Sequence, residues 1–137
     1  MMKIARFVLI SMFVLSANSA YAGTPVQLWH CEVYDEATEE AVIAGIEKWL
    51  AAAKQLDGGE GLEMRVMFPV AVNAPGEYDI WVILTAPSFE DWGKFWDNYP
   101  DSDAGDVDDE NNELFVCPGS ALWDSTPVGL GSAQPDG

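Results

Sequence analysis

The chain has 137 residues, of which 23 are Asp or Glu and only 6 are Lys or Arg, so its formal net charge is −17 at pH 7. This acidic balance argues against nucleic acid and against an anionic membrane as partners. With 49% hydrophobic residues, the chain can form one domain with a real core, and its length leaves no room for a second domain.

Residues 1–22 have the organisation of a secretory signal peptide. Lys3 and Arg6 supply the charged region, a short apolar run follows, and Ala20–Ala22 fits a small-x-small cleavage site. The apolar run is too short to span a membrane, and no Cys directly follows the cleavage site to accept a lipid. We therefore expect cleavage after Ala22 and a periplasmic or secreted protein.

The expected mature protein is divided into residues 23–126, which form the domain, and residues 127–137, which form a disordered tail rich in Gly, Pro and Ser. Cleavage removes two basic residues, so four basic residues remain against 23 acidic ones and the formal charge becomes −19. Solubility explains this charge best, although an electrostatic role in binding stays open.

The first predicted strand spans residues 26–34, where the side chains alternate between two faces. One face carries Trp29, Cys31 and Val33, and the other carries Leu28, His30, Glu32 and Tyr34.

A helix is predicted over residues 36–55, because apolar residues recur there at helical spacing. Asp35 or Thr38 can cap its first turn, and the glycine-rich segment 58–61 ends it and turns the chain.

A hairpin is predicted next, with strands at residues 62–72 and 78–86 joined by a turn at 73–76. Pro69 places the first of these strands at a sheet edge or at a bulge. The second strand is apolar on both faces over residues 80–84, which is typical of an interior strand.

The second predicted helix begins at Ser88, which can cap it with Asp91 at the reciprocal position, and ends before Pro100. Its apolar stripe consists of Phe89, Trp92, Phe95, Trp96 and Tyr99. Residues 101–113 are predicted as an acidic loop without apolar anchors. The last strand is predicted over residues 114–123, with a bulge or bend near Pro118.

The predicted order β-α-β-β-α-β indicates an α+β, ferredoxin-like fold with a four-stranded antiparallel sheet in the order 4-1-3-2. Cys31 and Cys117 are the only cysteines, and an even number in an exported chain predicts a disulfide. In this strand order the first and last strands are neighbours, so the two cysteines can lie opposite one another.

Between residues 26 and 123 the chain resembles the dimeric α/β-barrel superfamily, which includes antibiotic-biosynthesis-monooxygenase-like domains. The resemblance lies in the order of elements and in residues 88–92, Ser-Phe-Glu-Asp-Trp, which open the second helix. The chain is also similar to exported bacterial members with one Cys in the first strand and one in the last. The resemblance implies a homodimer in which the sheet face left bare by the helices pairs with a second sheet around a pocket. It supplies no catalytic residue.

The candidate ligand-binding residues are the ones expected on that bare face: His30, Glu32, Arg65 and Trp81. His30 is the single histidine and can act with Glu32 or Arg65 as an acid–base or binding group. Arg65 can anchor an anion or form a plain salt bridge. For His30 and Arg65 alike, an ordinary structural role is the simpler interpretation.

The six tryptophans fall into two groups. Trp49, Trp92 and Trp96 lie on the apolar stripes of helices and are expected in the core. The strand residues Trp29, Trp81 and Trp123 can belong to the core, to a subunit interface or to a ligand pocket.

No metal and no cofactor is predicted. The acidic segment 101–113 can collect a calcium ion, but it misses the EF-hand pattern because Gly105 and Asn112 do not fit the required positions, so a solvated loop is favoured. The sequence also lacks a Ser-His-Asp order, a phosphate-binding glycine loop and an HExxH element.

Three functions remain open. The first is a binding module that holds a small apolar ligand on the bare sheet face. The second is a monooxygenase-like or lyase-like enzyme with His30 as its acid–base group. The third is a structural or interaction protein whose bare face is consumed by its dimer.

Overall fold

The computed structural model of the protein describes residues 23–70 and 79–128. Along the chain the elements are β1 (Thr24–Val33), α1 (Glu39–Ala53), β2 (Glu63–Met67), β3 (Ile80–Thr85), α2 (Phe89–Asn98), α3 (Asp103–Asn111) and β4 (Phe115–Ser125). The predicted signal peptide, the predicted hairpin turn at 73–76 and the tail beyond residue 128 lie outside the described residues.

The four strands form one antiparallel sheet in the order β2-β3-β1-β4. This is the predicted ferredoxin-like order 4-1-3-2, which is confirmed. A disulfide joins Cys31 of β1 to Cys117 of β4, as predicted. The register between these strands shifts between His30 and Glu32, opposite residues 117 and 118, so the irregularity expected near Pro118 is present.

The first two helices begin at the predicted caps. The Thr38 hydroxyl accepts a hydrogen bond from the Ala41 amide at 3.2 Å, and the Ser88 hydroxyl accepts one from the Asp91 amide at 3.0 Å. After α1 the chain turns at Gly58, whose φ of 84° strongly favours a residue without a Cβ. Within the described ranges, none of the helices has the length and apolar character needed to cross a membrane.

The expectation of an unstructured acidic loop at 101–113 is wrong, because most of this segment forms α3. Ser102 caps the helix by accepting a hydrogen bond from the Gly105 amide at 3.2 Å. Ala104, Val107 and Asn111 are buried at helical spacing, so three residues are sufficient to anchor this short helix. Acidic side chains in its first turn also lie at the positive end of the helix dipole.

Helix α3 packs closely against α1. The side-chain amide of Asn111 donates a hydrogen bond to the Gly45 carbonyl oxygen at 3.1 Å. A Cβ at Gly45 would lie 2.3 Å from Asn111 Oδ1, so a larger residue at this position would force the Asn111 side chain to shift. An exposed ion pair between Lys48 and Glu110 also joins them.

The helices cover one face of the sheet and leave the other bare. The covered face buries Cys31, Ile80, Val82 and Leu84 among helix residues. The other surface, which we call the open face, carries Trp81 and Met67, with 38% and 45% of their surface exposed. Strand β3 is therefore interior in the sheet, as predicted, but a single chain covers only one of its faces.

Candidate functional site

A cavity of about 230 Å³ lies between the covered face of the sheet and the helices. Its apolar wall includes Ile46 from α1, Met64 from β2, Val82 from β3 and Phe115 from β4. Its aromatic wall consists of Trp29, Trp49, Trp96 and Tyr99, and its polar wall of Asp108, Asn111 and Asn112. All seven elements of the described chain, together with Tyr99 after α2 and Asn112 after α3, thus contribute to one site.

The four aromatic side chains form a continuous arc around the cavity. The ring centroids of Trp29 and Trp96 are 6.4 Å apart, those of Trp96 and Tyr99 4.8 Å, and those of Tyr99 and Trp49 6.1 Å. Adjacent rings are tilted or meet edge to face, which is the favourable geometry for aromatic pairs. We call these four residues the aromatic arc.

A hydrogen bond within the aromatic arc and an interaction of Tyr99 with Asp108 connect the arc to the acidic helix. The indole N–H of Trp49 donates to the Tyr99 hydroxyl at 3.1 Å, and the Tyr99 hydroxyl in turn interacts with the Asp108 carboxylate. Burial raises the pKa of Tyr99 to about 12; the hydrogen bond from Trp49 opposes this rise, and the negative charge of Asp108 adds to it. At neutral pH Tyr99 is therefore an uncharged hydrogen-bonding group.

The same surroundings also shift the pKa of the Asp108 carboxyl. Burial raises its pKa, the hydrogen bond from Tyr99 opposes this rise, and the neighbouring Asp109 adds to it. Asp108 nevertheless remains exposed to solvent where it lines the cavity. It places a negative charge at the cavity wall.

The indole nitrogens of the neighbouring α2 tryptophans differ. Trp92 donates its N–H to the Gln27 side-chain oxygen at 3.1 Å. The Trp96 Nε1 is buried and has no hydrogen-bond partner among the described residues. An unpartnered buried donor costs free energy, and Trp96 is also part of the cavity wall.

The sequence placed Trp49 and Trp96 correctly, left the position of Trp29 open, and did not predict the cavity. Trp49 is buried and Trp96 half-buried, as expected for apolar helix stripes, and Trp29 faces the helices. The cavity wall is completed by Asp108 and Asn111, which lie in the segment predicted as a loop. The Ser102 cap and the spacing of Ala104, Val107 and Asn111 were the signals that could have revealed α3.

The four residues predicted as a ligand site lie on the open face and do not line the cavity. His30 and Trp81 are directly paired across β1 and β3, with ring centroids 3.5 Å apart in an edge-to-face arrangement. Arg65 lies in the next row of the sheet, paired with Ile83, and Glu32 lies two residues beyond His30. Within residues 23–70 and 79–128, no carboxylate is within ion-pair distance of Arg65.

The described part of the chain holds no group of three or more His, Cys, Asp or Glu side chains placed to share a metal ion. The acidic residues of the predicted loop are distributed around α3, which points their side chains in different directions.

The observed architecture defines a ferredoxin-like α+β protein. No protein-family profile and no curated protein matches the sequence. Among solved structures, the fold is similar to a dimeric ferredoxin-like protein of unknown function from Thermobifida fusca YX, with a TM-score of 0.50 and 15% sequence identity. This match covers 77% of the present chain and 93% of the other.

Two further structures are similar at lower scores. A dimeric protein of unknown function and ferredoxin-like fold from Bacteroides fragilis NCTC 9343 has a TM-score of 0.44 and 12% identity, over 77% of this chain and 97% of that one. A candidate chlorite dismutase, TA0507, has a TM-score of 0.48 and 7% identity, over 77% of this chain and 45% of that one. The match to the Thermobifida fusca protein agrees with the expected ferredoxin-like fold.

Proposed function

We propose that this protein is a small-molecule binding module whose ligand occupies the cavity between the sheet and the helices. The aromatic arc, which faces the polar residues of α3 across the cavity, carries this proposal. Ligand sites in proteins combine an apolar, aromatic wall with a few fixed polar groups, and this cavity has both. The proposal moves the ligand from the open face, where the sequence suggested it, to the covered face.

Binding is favoured over catalysis by the chemistry of the cavity wall. Its titratable groups are Tyr99, which stays protonated at neutral pH, and Asp108. No histidine and no free cysteine lines it in the described part of the chain. The enzyme alternative depends on His30, which belongs to the open face, and it stays a separate prediction for that face.

We further propose that the protein acts outside the cytoplasm as a homodimer formed through the open face. Export is supported by the sequence of residues 1–22 and is compatible with the Cys31–Cys117 disulfide. Dimerisation is supported by the exposed apolar side chains of Met67, Trp81 and Trp123, and by the dimeric state of the Thermobifida fusca protein.

Ligand-observed NMR with a mixture of neutral, cationic and anionic fragments tests the cavity. Asn112→Trp places an indole on an exposed residue of the cavity wall, and Asn98→Trp is the matched control on α2, away from the cavity. We expect fragments to bind the wild type and the control, and to lose binding to Asn112→Trp.

Two results would contradict the proposed cavity. Binding that survives Asn112→Trp but is lost in Trp81→Glu would return the ligand site to the open face. The absence of any fragment binding to the wild type would favour a purely structural or interaction role.

A further inference from the structure

We infer that the natural ligand of the cavity carries a methylated ammonium group, a cation of the choline type. The inference deepens the proposed function and rests on it. It depends on three features of the cavity wall: the aromatic arc, the carboxylate of Asp108, and the lack of any basic side chain among the wall residues that the structure describes.

The aromatic arc supplies the side-chain types whose rings attract cations. Three indoles and one phenol surround the cavity, and indole has the strongest such interaction among protein side chains. Their ring centroids follow one another at 4.8–6.4 Å, so the rings are grouped closely around one small cavity. Proteins usually bind quaternary ammonium ligands between aromatic side chains of this kind.

The charges around the cavity favour a cation over an anion. Asp108 is the only charged side chain in its wall among the described residues. The basic residues of the described chain all lie elsewhere, and two of them are already paired, Lys48 with Glu110 and Lys94 with Glu90. With a formal net charge of −17, the whole molecule also attracts cations from solution.

The donor and acceptor pattern selects a methylated cation rather than a metal ion or a primary amine. A metal ion requires several oxygen ligands, and the wall offers a single carboxylate. A primary ammonium brings three N–H donors that each require an acceptor, whereas most of this wall is aromatic or aliphatic. A quaternary ammonium has no N–H donors, and its methyl groups gain from burial against the rings.

The size of the cavity sets an upper limit on the ligand. A volume of about 230 Å³ is below the range of drug-sized sites, which begins near 300 Å³. The ligand is therefore a small molecule with a compact cationic head.

Isothermal titration calorimetry with two probes tests the charge requirement. Choline and 3,3-dimethylbutan-1-ol have nearly the same shape, but only choline carries a positive charge. We expect choline to bind the wild-type protein and the neutral alcohol to bind about tenfold more weakly or not at all.

Variants of two acidic residues then test which carboxylate attracts the cation. Asp108→Asn should weaken choline binding severalfold without changing the binding of the neutral alcohol. Asp97→Asn is the matched control, because it removes the same charge from an exposed position of α2 outside the cavity wall. It should leave choline binding unchanged, and circular dichroism verifies that both variants are folded.

The outcomes separate the inference from the proposed function. Equal binding of choline and the neutral alcohol would overturn the cationic ligand while leaving a binding cavity in place. Fragment binding by NMR without choline binding would do the same. If neither fragments nor choline bind the wild type, both the inference and the proposed function fail.

Discussion

The Tyr99 hydroxyl lies between a hydrogen-bond donor, the indole N–H of Trp49, and a negative charge, the carboxylate of Asp108. A neutral phenol suits both, because its oxygen accepts the hydrogen bond from Trp49 and it adds no charge beside Asp108. Ionisation would place a second negative charge beside Asp108 in a site partly removed from water. Burial therefore holds the pKa of Tyr99 at about 12, above its ordinary value of 10.0.

This pKa predicts how stability depends on alkaline pH. Because the native pKa of about 12 exceeds the unfolded value, the unfolded chain loses the Tyr99 proton first. The contribution of neutral Tyr99 to stability is thus complete below pH 10.0 and is lost as the pH rises towards about 12. Tyr99→Phe should flatten the fall in unfolding free energy over this range.

Urea unfolding at a series of pH values measures this dependence. Tyr34→Phe, at an exposed tyrosine, is the matched control and should keep the wild-type dependence because Tyr99 remains. Tyr99→Phe should also lower stability at neutral pH by about 1–3 kcal/mol, since it leaves the Trp49 N–H without its acceptor. Identical alkaline profiles in the two variants would show that Tyr99 is not held neutral by the fold.

At the residue scale the sequence predicted the disulfide and the face of His30 correctly, but it did not predict the cavity. Cysteine count and strand order predicted the Cys31–Cys117 disulfide, and period-two alternation placed His30 on the open face. The cavity could not be predicted in this way. It exists because the aromatic side chains and α3 fail to fill the space between them, and residue patterns carry no information on such distances.

At the scale of elements, the acidic composition of the α3 segment led to the wrong prediction of a loop. Its segment is dominated by Asp and Glu, and only three of its nine residues are buried. A search for a broad apolar stripe therefore overlooks it. The helix depends instead on its Ser102 cap, on acidic residues near the positive end of its dipole, and on packing against Gly45.

Removing the cap tests this explanation. Ser102→Ala should lower the unfolding free energy by about 1 kcal/mol, because the Gly105 amide loses its acceptor at the first turn. Urea unfolding measures the loss, and Ser120→Ala, at an exposed position of β4, is the control and should have little effect. A Ser102→Ala variant as stable as the wild type would mean that packing alone maintains α3.

At the scale of the whole molecule, the order of elements determined the fold. The predicted sequence of strands and helices left one natural sheet order, and the additional α3 is accommodated between α2 and β4 without changing it. The open face follows from the same topology, because all the helices lie on one side of the sheet. What covers the open face is a property of the assembly, which a single sequence does not specify.

Sedimentation velocity at low and high salt tests the proposed dimer. We expect a dimer that persists or strengthens in high salt, because salt screens the repulsion between two acidic subunits while their apolar contact remains. Trp81→Glu should give a monomer. Phe89→Glu is the matched control, since Phe89 is similarly exposed, at 40% against 38%, but lies on α2.

The dimer proposal has a clear contrary outcome. A wild-type protein that sediments as a monomer at every salt concentration, unaffected by Trp81→Glu, would remove the open face from consideration as a subunit interface. The fold and the cavity do not depend on this result.

The disulfide between Cys31 and Cys117 turns the middle of the chain into a covalent ring. The ring includes every helix of the described chain, both β2 and β3, and all residues of the cavity wall except Trp29. A protease that cuts the backbone once within this ring opens it but releases no fragment. The two resulting pieces stay tethered, so the cavity can reassemble as an intramolecular event rather than by diffusion of separate chains. If the protein is exported as proposed, this topology would keep the walls of the cavity joined after a first cleavage by a protease.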